Sequence, residues 1–224
     1  MPVTSVVRSV EQKRSIEVVN KVKDIILYRQ DELKQLDELI KARFVEMFEG
    51  NNFPKTTIGE LVDRKINSVK KVFLPSTPIR YIDISSVDNK RNILVGYTEY
   101  VLQEAPSRAQ QHILKGDIVV STVRPNLKNI AVIDYDYDNL VASSGFCVLR
   151  AEKCLVLYLM AVVCSDAFTN AMTEVVTGAN YPAIKDSDVR SYILPNPPIE
   201  LQRQFASFVE QVNKSKFGEQ KLIS

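Results

Sequence analysis

Histidine, cysteine and glycine are scarce in this sequence, and tryptophan is missing altogether. Of 224 residues, one is a histidine, three are cysteines and seven are glycines. The single histidine, His112, has no other ligand at metal-binding spacing, so we predict no metal site. The glycines form neither a Gly-x-Gly-x-x-Gly dinucleotide loop nor a Gly-Lys-Ser/Thr phosphate loop. His112 also lacks a nucleophile or acid partner, and we interpret it as a core or surface histidine rather than a general base.

The three cysteines, at positions 147, 154 and 164, are odd in number and lie in apolar surroundings. This pattern is typical of buried, reduced thiols in a cytoplasmic protein. No run of about 18 apolar residues occurs, and the first ten residues lack a basic start followed by an apolar stretch. We therefore predict a cytoplasmic protein without a membrane span or a secretory signal.

Charge of neither sign predominates, because 29 basic residues stand against 27 acidic ones and the formal net charge is +2. This balance is weak support for a nucleic-acid partner, since many such proteins are far more basic. The distribution is uneven: seven Lys and Arg but only two Asp lie between Arg64 and Arg91, and Asp residues cluster at positions 134, 136 and 138. A segregated basic face either binds phosphate groups or is a plain solvated surface.

A long helix is the first element that the sequence clearly contains. Residues 9–48 include neither proline nor glycine, and such a helix would be about 60 Å long. Apolar residues recur at steps of three, four or seven, with Arg29 and Arg43 at two further positions of the repeat. A small domain cannot bury so long a stripe, so we predict that residues 1–52 form a dimerisation or spacer helix that pairs with another helix. Its predicted contact residues are Val19, Val22, Ile26, Leu33, Leu36, Ile40 and Met47.

Short β-type runs and turn signals follow in residues 53–198. Lys115-Gly116-Asp117 is predicted to be a tight turn that enters a strand. We predict a helix over residues 155–175 and strands over residues 79–85, 117–122, 129–134, 141–150 and 189–194.

A second, shorter helix is predicted from Ile199 to Phe217, within a final segment of residues 199–224. Asn196-Pro197-Pro198 approaches the Asn-Pro-Pro-aromatic motif of adenine methyltransferases, but Ile199 stands where that motif has an aromatic residue. We interpret it as a stop before the helix. The predicted fold is α+β, with coiled-coil-forming helices on either side of one mixed-sheet domain.

Two helical segments resemble each other. VEQKRSIEVVNKVKDI (residues 10–25) and IELQRQFASFVEQVNKSK (residues 199–216) match at an offset of 189, with a one-residue slip later. Shared helix composition is one explanation. A true repeat is the other, and it would make this chain one period of a helix, domain, helix architecture.

Three segments carry a resemblance to the specificity subunits of type I restriction–modification systems. RQDELKQLDELIKARFVEMFEG (residues 29–50) is similar to the helix end before a recognition domain. LKGDIVVSTVRPNLKNIAVI (residues 114–133) resembles the strand, loop and strand of such a domain. GANYPAIKDSDVRSYILPNPPIELQRQF (residues 178–205) resembles its exit segment. The similarity covers essentially the whole chain, and the two segments that flank the helices are the specific ones.

The resemblance implies a target-recognition domain of the adenine-methyltransferase DNA-reading type. It also implies that the chain reads half of a bipartite site in double-stranded DNA and carries modification subunits, joined in the full complex by restriction/translocase subunits. S-adenosylmethionine and ATP are then expected in those partners, with no cofactor and no catalysis in this chain. A full member has two recognition domains and this sequence has one, so we expect self-association through the long helices.

The chemistry of DNA recognition selects the candidate site residues. Lys, Arg and Ser suit phosphate oxygens, while Arg and Asn suit base edges. Arg124 and Asn126 are the first choices because Pro125 stiffens their loop, and plain solvation is the alternative for each candidate. The predicted DNA-binding residues are Lys70, Lys71, Ser85, Lys90, Arg91, Arg108, Arg124, Asn126, Lys128, Ser143, Ser144, Asn180, Tyr181 and Lys185.

Two other functions remain open. A helical adaptor without DNA binding would explain the long helix but gives the domain of residues 53–198 no role. An enzyme with an unrecognised site is disfavoured because His, Cys and paired acids do not cluster in the sequence.

Overall fold

The computed structural model describes residues 3–178 and 182–220, and the side chains of residues 15–178 and 182–216. The chain divides into two units. Unit 1 comprises Met1–Val45 and Ser207–Ser224, and unit 2 comprises Glu46–Ala206. Helices in the described residues are α1 (Val3–Phe48), α2 (Ile58–Leu61), α3 (Val156–Cys164), α4 (Asp166–Glu174), α5 (Asp186–Ser191) and α6 (Ile199–Gln220).

Strands occur in unit 2 only, as far as the structure describes the chain. They are β1 (Lys55–Thr57), β2 (Pro78–Ile82), β3 (Val87–Asp88), β4 (Ile93–Leu94), β5 (Thr98–Val101), β6 (Ala109–His112), β7 (Ile118–Ser121), β8 (Ile130–Val132), β9 (Leu140–Ser143), β10 (Phe146–Leu149) and β11 (Ile193–Pro195).

Helix α1 is one continuous helix that begins six residues before the predicted start. It ends where the sequence predicts, because Gly50 has a φ of +73° and the Asn51 side-chain amide donates to the carbonyl of Met47 at 3.0 Å. A left-handed residue just past the last turn is a common helix stop, and glycine adopts it without strain.

Unit 1 pairs the later part of α1 with α6. Lys216 forms an ion pair with Asp37, and the Arg43 guanidinium lies 5.9 Å from the centre of the Phe208 ring. Since Asp37 precedes Arg43 whereas Lys216 follows Phe208, the two helices run antiparallel. The stripe on α1 therefore has an intramolecular partner over this part, where Leu33, Leu36, Ile40 and Met47 are half-buried.

Within the described residues, the earlier part of α1 is not covered in this way. Its apolar side chains between residues 16 and 28 are 37–65% exposed. They include three of the predicted contact residues, and the full set is Ile16, Val18, Val19, Val22, Ile25, Ile26, Leu27 and Tyr28.

Two larger sheets form the core of unit 2. The mixed sheet has the order β5-β2-β9-β6, in which β2 and β9 are parallel, and the antiparallel sheet has the order β10-β7-β8. Side chains of β9 alternate between two clusters: Leu140 and Ala142 lie in the larger one, and Val141 lies in the other. The larger cluster also contains Val119 of β7 and Phe146 of β10, so both sheets contribute to the main core.

Strands β7 and β8 confirm two of the predicted strands, and the predicted turn is present at Gly116, with a φ of +90°. The run over residues 141–150 was predicted as one strand, which is wrong. The chain changes sheets at Ser144 and Gly145, where the Gly145 amide donates to the Ser143 hydroxyl at 3.2 Å. Residues 79–85 form a shorter strand than predicted, because the Asp83 carboxylate accepts from the Ser85 amide and starts a 3-10 turn.

The predicted helix over residues 155–175 is two helices, bent by 58°. Ser165 ends α3 and caps α4, since its hydroxyl accepts from the Phe168 amide at 3.1 Å. The predicted strand over residues 189–194 is also wrong in its first half, where α5 continues to Ser191 before β11 begins.

The three cysteines lie in unit 2 and form no disulfide bond. Burial raises the pKa of the Cys147 and Cys154 thiols to about 12, so both are protonated at neutral pH. Among the described residues, no cluster of three or more His, Cys, Asp or Glu side chains is arranged to hold a metal ion. No single described helix is long and apolar enough to cross a membrane, and only the bent pair of α3 and α4 passes that test jointly.

Candidate nucleic-acid interface

The loop of residues 124–128 exposes the side chains of Arg124 and Asn126 to solvent. Pro125–Leu127 forms a 3-10 turn, and Arg124 and Lys128 on either side of it adopt left-handed φ angles of 50° and 51°. Arg124 and Asn126 are exposed, and neither side chain has a hydrogen-bond or ion-pair partner within the described residues. Both remain available for a ligand.

Lys128 is held differently from its neighbours. Its ammonium group donates to the Asp166 carboxylate at 2.5 Å and to the carbonyl of Cys164 at 3.3 Å. The structure thus gives Lys128 an anchoring contact to the start of α4. Its predicted contact to DNA would have to compete with that ion pair.

A second loop, residues 88–92, packs against the first. The Asn89 side-chain amide donates to the carbonyl of Leu127 at 2.8 Å, and that of Asn92 donates to the carbonyls of Lys128 and Ile130, each at 3.1 Å. The exposed Lys90 and Arg91 are therefore carried on a loop that is fixed to the Arg124 loop. Sequence reasoning missed Asn89 and Asn92, because nothing local marks a side chain that bonds to a loop some 36 residues away.

A polar groove lies at the edge of the mixed sheet, with a volume of about 290 Å³. Its lining residues are Ile66, Asn67, Ser68, Gln110, Gln111, Ser144, Phe146 and Asp186.

Predicted cations border this polar groove. Lys70 and Lys71 follow Ser68 in a 3-10 turn, Arg108 accepts the Ser144 amide hydrogen on its carbonyl at 2.8 Å, and Lys185 immediately precedes Asp186. All four cationic side chains are exposed. The structure thus brings together four cations from three segments that are far apart in sequence.

Backbone hydrogen bonds connect the Arg124 loop to the polar groove. The Thr122 amide donates to the carbonyl of Gly145, the Ile184 amide donates to the carbonyl of Thr122, and the Arg124 amide donates to the carbonyl of Pro182, each at 2.9 Å. Residues 122–124 therefore link the Arg124 loop to the polar groove.

Two serines of the predicted site have hydroxyl groups that hydrogen-bond within the fold. Ser143 is 3% exposed within β9, and its hydroxyl accepts from the Gly145 amide, so its assignment as a DNA contact is corrected. Ser85 is exposed, but its hydroxyl donates to the Asp83 carboxylate at 2.6 Å and helps to hold the turn. Asn180 and Tyr181 lie outside the described residues.

Arg80 belongs to the basic segment of the sequence but not to this interface. Its guanidinium lies 3.9 Å from the centre of the Tyr137 ring and donates to the Asn139 side chain at 2.6 Å. A hydrogen bond with Tyr97 raises the pKa of Arg80 further, so it stays charged. The basic face therefore contains fewer cations than the count of Lys and Arg between residues 64 and 91 indicates.

Asp186 is the one acidic side chain in the polar groove. Asp186 is exposed to solvent, but partial burial of its carboxyl group raises the pKa, and the nearby Arg190 opposes that shift. Arg190 itself donates to the carbonyls of Asp63 and Val148. The Asp186 carboxylate has no hydrogen-bond donor within the described part of the chain.

Comparisons with known proteins agree on one family. The model of the type I restriction modification DNA specificity domain matches residues 51–223, well over half of the chain. The type I restriction enzyme HindI specificity subunit of Haemophilus influenzae is 28% identical over 112 residues, which are 48% of this chain and 24% of that protein.

Two solved structures are similar to this chain. The HsdS subunit of Thermoanaerobacter tengcongensis is 34% identical, with a TM-score of 0.64 over 76% of this chain and 44% of that one. The S subunit of the type I system of M. genitalium, at 13% identity and a TM-score of 0.52, shows the shared fold over 92% of this chain and 56% of that one. The chain thus spans about a quarter of the curated relative and less than half of the first structure.

Proposed function

The chain belongs to the family of type I restriction modification DNA specificity domains, and from that premise we propose that it reads one half of a bipartite site in double-stranded DNA. The observation that supports this function is the candidate interface itself. Exposed cations from five separate segments lie there, and the side chains of Arg124, Asn126 and Asn67 have no hydrogen-bond partner in the described chain. Phosphate and base contacts need groups of this kind.

The proposed role is recognition and scaffolding without catalysis. In this role the chain holds modification subunits on the DNA, and restriction/translocase subunits join the complex. S-adenosylmethionine and ATP bind to those partners, and the complex works in the cytoplasm. The similar proteins support this assignment, since one is the specificity subunit of a type I restriction enzyme and another is an HsdS subunit.

Self-association is the second part of the proposal. The exposed apolar side chains of α1 between residues 16 and 28 extend beyond the part that α6 accompanies. A second copy of α1 would cover them and place two identical recognition domains on one duplex, which suits a palindromic bipartite target. The same exposed helix also fits a helical adaptor without DNA binding, and salt-dependent duplex binding distinguishes the two functions.

Arg124 provides the first test of DNA reading. Methylome sequencing of cells that carry the chain with its modification subunit identifies the motif, and the complex is then titrated with a duplex containing it. We expect Arg124→Ala to weaken specific binding by about 1–3 kcal/mol, because a side chain without an internal partner is lost from a base or phosphate contact. Arg203→Ala on α6 is the control. Equal affinity of the Arg124→Ala complex and the unaltered complex at fixed salt would remove Arg124 from the interface.

Lys70 provides a different test, because a phosphate contact is independent of sequence. We expect Lys70→Ala to lower affinity for specific and non-specific duplexes alike and to reduce the slope of log affinity against log salt by about one unit. The measurement is a titration at four or more salt concentrations. A loss confined to the specific duplex would contradict the assignment of Lys70 to phosphate.

A further inference from the structure

The polar groove contains hydrogen-bonding groups that the fold does not use. The side-chain amide of Asn67 and the hydroxyl of Ser144 have no partner within the described residues. Gln110 uses one amide hydrogen, which it donates to the carbonyl of Ser107 at 2.8 Å, and its side-chain oxygen accepts no described hydrogen bond. Gln111 differs, because its amide donates to the carbonyls of Ser143 and Phe146 and is part of the fold.

The carboxylate of Asp186 is the informative member of this set. Cations that suit phosphate border the polar groove, yet Asp186 adds a negative charge beside them. A carboxylate brought against polyanionic DNA is repelled unless it accepts a hydrogen bond. In the major groove of DNA the base donors are the amino groups of cytosine and adenine, while guanine and thymine present acceptors there.

The side-chain amides of Asn67 and Gln110 also suit a base that presents an amino group in the major groove. The carboxamide of Asn or Gln matches adenine, since its oxygen accepts from the N6 amino group and its nitrogen donates to N7. Asn67 lies on the segment before the 3-10 turn, and Gln110 lies on β6, so the two amides reach the polar groove from different elements.

We propose that the polar groove is the base-reading element of this chain, in which Asn67, assisted by Gln110, reads an adenine and Asp186 selects a base that presents an amino group in the major groove. This inference rests on the proposed DNA-binding function and deepens it. It assigns Lys70, Lys71, Arg108 and Lys185 to the flanking phosphates. Specificity therefore depends on residues that lie outside the Arg124 loop.

Selection from a randomised duplex pool tests the inference directly. The complex of the chain with its modification subunit is used to enrich duplexes, and the enriched motif is read by sequencing. We expect Asn67→Ala to relax the preference for adenine at one position by about 5- to 150-fold and to leave the other positions unchanged. We expect Asp186→Asn to admit guanine or thymine at a position where the unaltered complex takes only adenine or cytosine.

Gln103→Ala is the matched control. Gln103 is an exposed amide that follows β5, whereas Gln110 lies on β6, and these strands are the two opposite edges of the mixed sheet. We expect this variant to enrich the unaltered motif. Thermal unfolding of each variant confirms that it is folded, and Asp186→Asn preserves the shape of the side chain.

The outcomes separate the two levels of the proposal. If the unaltered complex enriches no motif, the proposed function is wrong and so is this inference. If it enriches a motif that Asn67→Ala, Gln110→Ala and Asp186→Asn all reproduce, DNA reading stands and the assignment to the polar groove is overturned.

Discussion

Replacing Val22 and Ile26 together by glutamate is expected to turn a self-associated chain into a monomer. Both side chains lie on the apolar stripe of α1 and are 48% and 37% exposed within one copy. In a helix pair each would be buried, and burial of a Val or Ile side chain contributes about 1.5–3 kcal/mol. Only the exposed fraction of each side chain is newly buried, so two changed residues in each of two copies raise the dissociation constant by at least about fiftyfold. Light scattering coupled to gel filtration measures the change.

Lys21→Glu is the control for this variant. It shifts the net charge by the same two units, and at 100° per residue its side chain lies on the side of the helix away from Val22 and Ile26. We expect it to self-associate as the unaltered chain does, with equal helicity by circular dichroism. An unaltered chain that is monomeric at micromolar concentration would refute pairing of two copies, without bearing on DNA reading.

Arg150→Met is expected to destabilise unit 2 by about 3–5 kcal/mol. The Asp117 carboxylate is 1% exposed, and the Arg150 guanidinium donates to its two oxygens at 2.8 and 2.7 Å. The amide of Leu114 donates to the same carboxylate at 2.8 Å. Methionine fills a similar volume but leaves the buried carboxylate without a counter-charge, and that loss accounts for the expected cost. Urea unfolding followed by circular dichroism measures it.

The Arg203 and Glu200 pair on α6 supplies the comparison. The Arg203 guanidinium lies 3.8 Å from the Glu200 carboxylate, and both side chains are about two-thirds exposed. An exposed pair of this kind contributes about 0–1 kcal/mol, so Arg203→Met is expected to change the free energy of unfolding very little. Equal losses for the two variants would show that the Asp117 ion pair does not stabilise the fold.

The class of fold, the long helix and the second helix were predictable from the sequence, because periodicity and helix breakers are local signals. Strands β7 and β8 were predictable for the same reason, with Gly116 marking the turn. The run over residues 141–150 was not, because uniformly apolar residues give no sign of where a chain leaves one sheet for another. Only the partners of β9 and β10 reveal the change at Ser144.

The candidate interface was predictable in its chemistry and only in part in its arrangement. Exposed Arg124 and Asn126 followed from a proline-stiffened loop. The polar groove was not predictable, because Asn67, Gln110 on β6 and Asp186 at the start of α5 are distant in sequence and meet only in the folded chain. Ser143 was misassigned because a serine suits phosphate by its chemistry, and the sequence gives no sign that this one is buried within β9.

An aromatic cluster of Phe48, Tyr158 and Phe205 lies where the domain of residues 53–198 joins the two helices α1 and α6. The Phe48 ring lies 5.0 Å from that of Tyr158 and 5.5 Å from that of Phe205, so α1 ends and α6 passes at the same place in unit 2. The segment between Phe48 and Phe205 therefore begins and ends at neighbouring positions in unit 2. A segment whose ends lie next to each other can be exchanged between relatives as one piece, and under the proposed function such an exchange would replace the DNA sequence that is read.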